Sequence, residues 1–143
     1  MEDKIYTLHS LDELPGIAKQ FLDDHPNSKL FAFEAPMGSG KTTFIVALLK
    51  AMGIENTEGS PTYSLVNTYD SPYFNRVYHM DLYRLKTIDE VYDSGIEELI
   101  YSGSRCFIEW PEILGGILPN QCIWVYIRKN DDNSRTITVK YDN

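Results

Sequence analysis

KLFAFEAPMGSGKTTFIVALLKAM, residues 29–52, sets three elements in a row and decides the fold. Lys29–Glu34 is a nearly unbroken apolar run, the form of a strand buried on both faces. A glycine-rich loop follows. Thr42–Met52 then has good helical character, with Gly53 placed to cap its C-terminus. Strand, glycine loop and helix in that order build an anion cradle, because successive backbone N–H groups turn inward at a helix N-terminus. Gly38 and Gly40 supply the unusual dihedrals the turn needs. Lys41 is expected at the β- and γ-phosphates of a nucleotide, and the Thr42 hydroxyl on Mg²⁺. The cradle is read as Met37, Gly38, Ser39, Gly40, Lys41, Thr42 and Thr43.

Two residues depart from the usual P-loop pattern. Ala35 stands at its first glycine, and Pro36 removes one N–H at the edge of the cradle. If position 35 needs a positive φ, alanine there costs about 1 kcal/mol, tolerable in a fixed loop. The nest from Met37 to Thr43 is expected to survive both changes.

Outward from this stretch, strands and helices alternate. Lys4–Leu8 alternates as a first strand. SLDE at Ser10 fits a capping box, but Pro15 would fall inside a helix begun there, so a short turn through Leu14 is expected, with Pro15 opening the helix GIAKQFL. SLVNTY and RVYHMD flank a polar turn at Asp70–Pro72 and predict a hairpin. TIDE at Thr87 predicts a capped short helix broken at Gly95 before IEELIY. RCFIE (105–109) reads as a strand followed by a loop rich in Pro and Gly. QCIWVYIR and RTITVKY read as two strands around NDDNS. The order predicts an α/β fold: a P-loop NTPase-like three-layer sandwich with a central, mixed (partly parallel) sheet.

Length and charge narrow the function. The 143 residues, 43% hydrophobic, suit a single domain (1–143) with a sizeable core. A net charge of −8, with 13 basic residues scattered among 21 acidic ones, argues against direct nucleic-acid binding. No apolar run is long enough to span a membrane and no secretion signal opens the chain, so a cytoplasmic location is expected. Cys106 and Cys122 sit in apolar runs and read as buried free thiols.

A nucleotide hydrolase also needs an acid at the end of a neighbouring buried strand to hold Mg²⁺ or its water. VYHMD ends in Asp81 and CFIE ends in Glu109, and periodicity alone does not choose between them. Thr62, after Pro61 in the loop beyond the P-loop helix, stands where switch segments sense a γ-phosphate. His79 reads as a satisfied core histidine rather than a catalytic base. The tyrosines around the hairpin, Tyr63 to Tyr83, read as packing, since no basic residues interleave them.

Four segments taken together, GSGKTTF, SPTYSLVN, YHMDLYRL and FIEWPE, resemble the TsaE (YjeE) family of bacterial P-loop ATPases in order and spacing. The resemblance runs from the first strand to the loop after Glu112. The family's usual loop is GDLGAGKT, so the first three positions and Ser39 depart from it. The resemblance implies a part in making threonylcarbamoyladenosine beside the tRNA anticodon, acting with the TsaB–TsaD pair that meets the tRNA. It implies ATP/ADP and Mg²⁺ as ligands, with Thr42 and Glu109 at the magnesium-binding positions. Asp81 and Thr62 match positions near the γ-phosphate, and Trp110 a tryptophan close to the nucleotide. Looser matches near Ser10 and Ser134 imply an adenine environment. No arginine stands out as a finger, so slow, partner-dependent hydrolysis is expected. The rival readings are a nucleotide-sensing module without turnover, which Ala35 and Pro36 favour, and a small-molecule kinase, which lacks an insertion long enough for a lid.

Overall fold

The computed structural model describes residues 3–36, 38–57 and 65–141. Seven strands form one sheet: β1 (Lys4–Leu8), β2 (Leu30–Glu34), β3 (Val66–Ser71), β4 (Asn75–Asp81), β5 (Arg105–Glu109), β6 (Ile123–Lys129) and β7 (Arg135–Tyr141). Their spatial order is β1-β7-β6-β2-β5-β4-β3. β6, β2, β5 and β4 run parallel, and antiparallel partners extend the sheet on both sides. The mixed, partly parallel sheet expected from the sequence is therefore present.

Side-chain alternation assigns the layers. Phe31 and Phe33 of β2 point to the face covered by α1 (Leu14–Asp24) and α2 (Lys41–Ala51), where they meet Phe21, Phe44 and Leu48. Leu30 and Ala32 point to the other face, against Val91 of α3 (Ile88–Ser94), Ile96 of α4 (Ile96–Ile100), and Leu114. A strand covered on both sides has no polar face, which is why KLFAFE reads as a continuous apolar run. Fully burying one of these phenylalanines is worth roughly 1.5–3 kcal/mol.

Local signals act as the sequence predicts in most places. Pro15 sits in the first turn of α1, after a 3-10 turn at Leu11–Glu13. The Thr87 hydroxyl caps α3 by accepting from Glu90 N, and Gly95 at φ 80° ends it. Gly53 closes α2 with its N–H on the Lys50 carbonyl. Ser10 makes no side-chain cap; the Glu13 carboxylate instead accepts from His9 N at 2.5 Å. The hairpin turn falls at Pro72–Phe74 rather than Asp70–Pro72, because Asp70 stays in the ladder opposite Arg76. The Pro/Gly segment after β5 winds as 3-10 turns over Pro111–Ile117. Both cysteines are free and buried. No helix among the described residues is long and apolar enough to cross a membrane.

Candidate functional site

Three parallel strands, β2, β4 and β5, end at one edge of the sheet, and each delivers a piece of the site there, as open α/β sheets do. β2 leads into the glycine loop. Gly38 (φ 83°) and Gly40 (φ 98°) both take left-handed backbone, and Gly40 is the N-cap of α2 with no side-chain cap. The first N–H groups of α2 are thus left without a capping side chain, at the positive end of the helix dipole. Ala35 is absent from the described residues with positive φ and is buried in the core, so the cost considered for it does not arise. Pro36 keeps a role, its carbonyl accepting from Ser39 N at 3.2 Å. Met37 and Thr62 lie outside the described residues.

Lys41 is buried at 7% exposure. Its Nζ lies 3.5 Å from the Ala35 carbonyl and 3.8 Å from the centre of the Trp110 ring. Burial lowers its pKa, and the carboxylates of Glu109, Asp81 and Glu112 pull in the opposite direction. Trp110 adopts left-handed backbone (φ 58°, ψ 55°), which costs a non-glycine residue roughly 1–2 kcal/mol. That turn directs the ring to the lysine, with the Tyr83 ring packed against it at a tilt of 52° and 5.1 Å between centres.

The acid at the end of β5 is the one built into the site. Glu109 is 2% exposed. Its Oε1 accepts from the Thr42 hydroxyl at 2.8 Å, and its Oε2 lies 2.5 Å from His79 Nε2. Burial raises its pKa, but the His79 and Thr42 hydrogen bonds and the Lys41 charge outweigh that and hold it below the usual carboxylate range. Asp81, opposite Glu109 in the β4–β5 register, is exposed and accepts from Tyr83 N at 3.1 Å. The two acids left open by the sequence therefore sit side by side, one buried beside the P-loop threonine and one at the mouth.

Gly38 to Thr43, Asp81, Glu109 and Trp110 all line one cavity of about 740 Å³. Its far wall comes from Leu8, Ser10 and Leu11 on one side and Ile127, Asn133, Arg135 and Ile137 on the other. Arg135 is the residue sequence reasoning missed. It opens β7, and its Nε donates to the Ser39 carbonyl at 2.9 Å while Nη1 donates to Asn133 O. No periodicity signals a contact made across 96 residues. His79, expected to be satisfied in the core, is indeed buried, but its partner is the site carboxylate. Tyr69 is buried as expected for packing, whereas Tyr73 and Tyr83 are exposed, Tyr83 through its place beside Trp110.

The residues fit both groups that the loop implies. Ser39 Oγ is buried with no hydrogen-bond partner among the described residues, in a nest whose two glycines leave room for an anion. The Thr42 hydroxyl and the Glu109 carboxylate are all-oxygen donors, suited to a hard divalent cation. No group of three or more His, Cys, Asp or Glu among the described residues forms a metal cage. Mg²⁺ in nucleotide sites uses one or two protein oxygens and completes its shell with phosphate and water.

Comparison with known proteins gives the family. The sequence model for the threonylcarbamoyl adenosine biosynthesis protein TsaE matches residues 8–137. The chain belongs to the TsaE family. It is 38% identical over 133 residues to the tRNA threonylcarbamoyladenosine biosynthesis protein TsaE of Rickettsia bellii, covering 92% of this chain and 91% of that one. Against TsaE of Bacillus subtilis it is 30% identical over 127 residues, covering 89% and 78%. A crystal structure of Bacillus subtilis YdiB superposes with a TM-score of 0.75 at 24% identity, covering 99% of this chain and 87% of that chain, which supports the fold. With its glycine loop between β2 and α2, this TsaE-family chain has the strand–loop–helix arrangement of a P-loop protein.

Proposed function

We propose that the chain, as one domain, binds Mg-ATP and hydrolyses it as the ATP-driven component of tRNA threonylcarbamoyladenosine synthesis, working with TsaB and TsaD. The observation that carries this reading is the Thr42–Glu109 pair, 2.8 Å apart at the mouth of the P-loop helix. A threonine hydroxyl and a buried ionised carboxylate at that place are what a P-loop hydrolase needs and what a bare phosphate-binding turn does not. The names of the Rickettsia and Bacillus relatives support the pathway.

The protein's own groups divide the work. The N–H groups of residues 38–43 wrap the phosphates, and Lys41 leaves the Trp110 ring to reach the β/γ-oxygens. Mg²⁺, held by Thr42 and Glu109 together with the phosphates, would neutralise developing charge on the transferred group. Asp81 or Glu109 orients the attacking water, and Thr62 senses the γ-phosphate. Hydrolysis removes those contacts and shifts the chain toward a state that fits TsaB–TsaD differently. Arg135 holds a carbonyl of the cradle, so the transition-state charge is left for a partner to supplement, and turnover by the isolated chain is slow. tRNA is met through the partners, consistent with the net charge of −8.

The test is Mg-dependent ATP hydrolysis by the chain alone and with TsaB–TsaD from the same source. Turnover that rises with the partners and disappears in Lys41→Ala and Glu109→Ala supports the reading. ATP binding without turnover in any mixture would leave a nucleotide sensor. Ala35, which favoured that alternative in the sequence, has an ordinary backbone here.

A further inference from the structure

We propose that His79 is a positioning residue for the site carboxylate, fixing Glu109 so that its second oxygen is held at Thr42 and ready for the metal. The proposal rests on the Mg-nucleotide reading above and concerns a residue that reading leaves idle.

The argument begins with where β4 puts its side chains. Residues 77, 79 and 81 share one face, that of α2, and run from the core to the mouth: Val77 is fully buried, His79 is 8% exposed, and Asp81 is exposed. In register, Val77 lies opposite Arg105, His79 opposite Phe107 and Asp81 opposite Glu109. His79 thus has an apolar direct neighbour, and it reaches diagonally forward along β5 to the carboxylate. A valine or phenylalanine would pack at this depth without the cost of burying an imidazole. The carboxylate accounts for the choice. An ionised carboxylate only accepts, so the proton of the short contact sits on Nε2 and the imidazole donates.

Glu109 has three rotatable bonds, and at 2% exposure no solvent steadies its head group. Lys41, the nearest cation, is turned to the Ala35 carbonyl and the Trp110 ring. Thr42 alone holds one oxygen, and a metal that takes the Thr42 hydroxyl would loosen that hold. With His79 on Oε2, the plane and depth of the carboxylate are set before any ligand arrives. Oε1 stays on the Thr42 side whatever the hydroxyl does. Preorganisation of this kind is the usual task of a group hydrogen-bonded behind a metal-associated ligand.

The experiment measures Mg²⁺ rather than turnover. ADP binding is followed by calorimetry in EDTA and across a Mg²⁺ titration, for wild type, His79→Leu, His79→Gln and His79→Asn. The Gln amide can still donate to Glu109, whereas Asn is one methylene too short. The expected result for His79→Leu is a rise of about tenfold or more in half-saturating Mg²⁺, with ADP affinity in EDTA unchanged. His79→Gln should recover most of that loss and His79→Asn little of it. Wild-type Mg²⁺ dependence in His79→Leu would overturn the proposal, as would equal losses with and without Mg²⁺, or Gln and Asn variants that behave alike. If the Leu variant does not fold, the Gln–Asn difference decides alone. A wild-type protein that binds ADP no better with Mg²⁺ would bring down the metal reading itself, an outcome distinct from failure of His79.

Discussion

Arg105 opens β5 and Glu109 closes it, and each is 2% exposed. The two ends handle a buried charge differently. At the Glu109 end both oxygens are partnered, by Thr42 and His79, and the pKa is held low. At the Arg105 end the guanidinium makes one hydrogen bond, from Nη2 to the Pro26 carbonyl at 2.7 Å, and stacks on Phe74 at 4.5 Å. Its Nε and Nη1 have no partner among the described residues, and burial lowers its pKa. One ion lines the cavity beside the glycine loop. The other ties the segment after α1 to the sheet. Equal burial of charge therefore does not mark a functional group; the completeness of the network around it does.

The largest effect expected from breaking this contrast is on chemistry. Glu109→Ala should lower ATP hydrolysis about 100-fold or more in a steady-state assay, since a preorganised electrostatic group is removed. Arg105→Ala, at the other end, should leave nucleotide affinity unchanged. It should instead cost about 2 kcal/mol of unfolding free energy in a denaturant titration, the worth of a charge-assisted hydrogen bond. A nucleotide-binding defect in the Arg105 variant, without loss of stability, would erase the distinction between the two ends.

Acid should separate them as well. His25 packs beside the Arg105 end, with Nδ1–H donating to the Phe21 carbonyl at 2.7 Å and Nε2 accepting from the Tyr141 hydroxyl at 2.6 Å. Burial holds its pKa below the ordinary 6.5. As pH falls below 6.5 the unfolded chain takes up a proton that the folded chain refuses, so stability present above 6.5 is lost toward the folded pKa. Glu109 has the same sign in a lower window: its contribution is present above the ordinary 4.5 and is lost as pH drops through its depressed folded value. Thermal melts from pH 7.5 to 3.5 should show two successive losses, the first reduced in His25→Gln. The smallest effect concerns the loop. Ala35→Gly, which restores the usual P-loop residue, should cost about 0.5–1 kcal/mol of stability through added unfolded-state freedom and bring no gain in ADP affinity.

How much of this could be read from the chain depends on the range of the contact involved. The β2–loop–α2 unit was legible because its signals are local: a continuous apolar strand, two glycines and a helix with its own stop. Asp81 and Glu109 were legible as strand-end acids, but choosing between them needed the fold, since of β4 and β5 it is β5 that pairs with β2, and its Glu109 that reaches Thr42. His79 showed as buried but not as a partner of Glu109, because a diagonal contact between strands leaves no trace in either strand's period. Arg135 was invisible because its contact spans 96 residues, and the left-handed turn at Trp110 because no glycine or asparagine marks it. The hairpin turn was placed two residues early because Asp70 and Pro72 carry turn chemistry, while the ladder through Asp70 and Ser71 overrode it.

The pairing of β1 with β7 also bears on how the protein folds. β1 precedes the other described strands in the chain and its ladder partner follows them, with Leu8 set opposite Arg135. The glycine loop lies between these two strands in sequence, yet Leu8, Arg135 and Ile137 all contribute to the wall of its cavity. Without β7 in place the cradle has neither the arginine on Ser39 nor a docked β1. The cavity beside the glycine loop is thus complete only once β1 and β7 are paired, and a closure across so long a stretch of chain is an entropically slow step in folding.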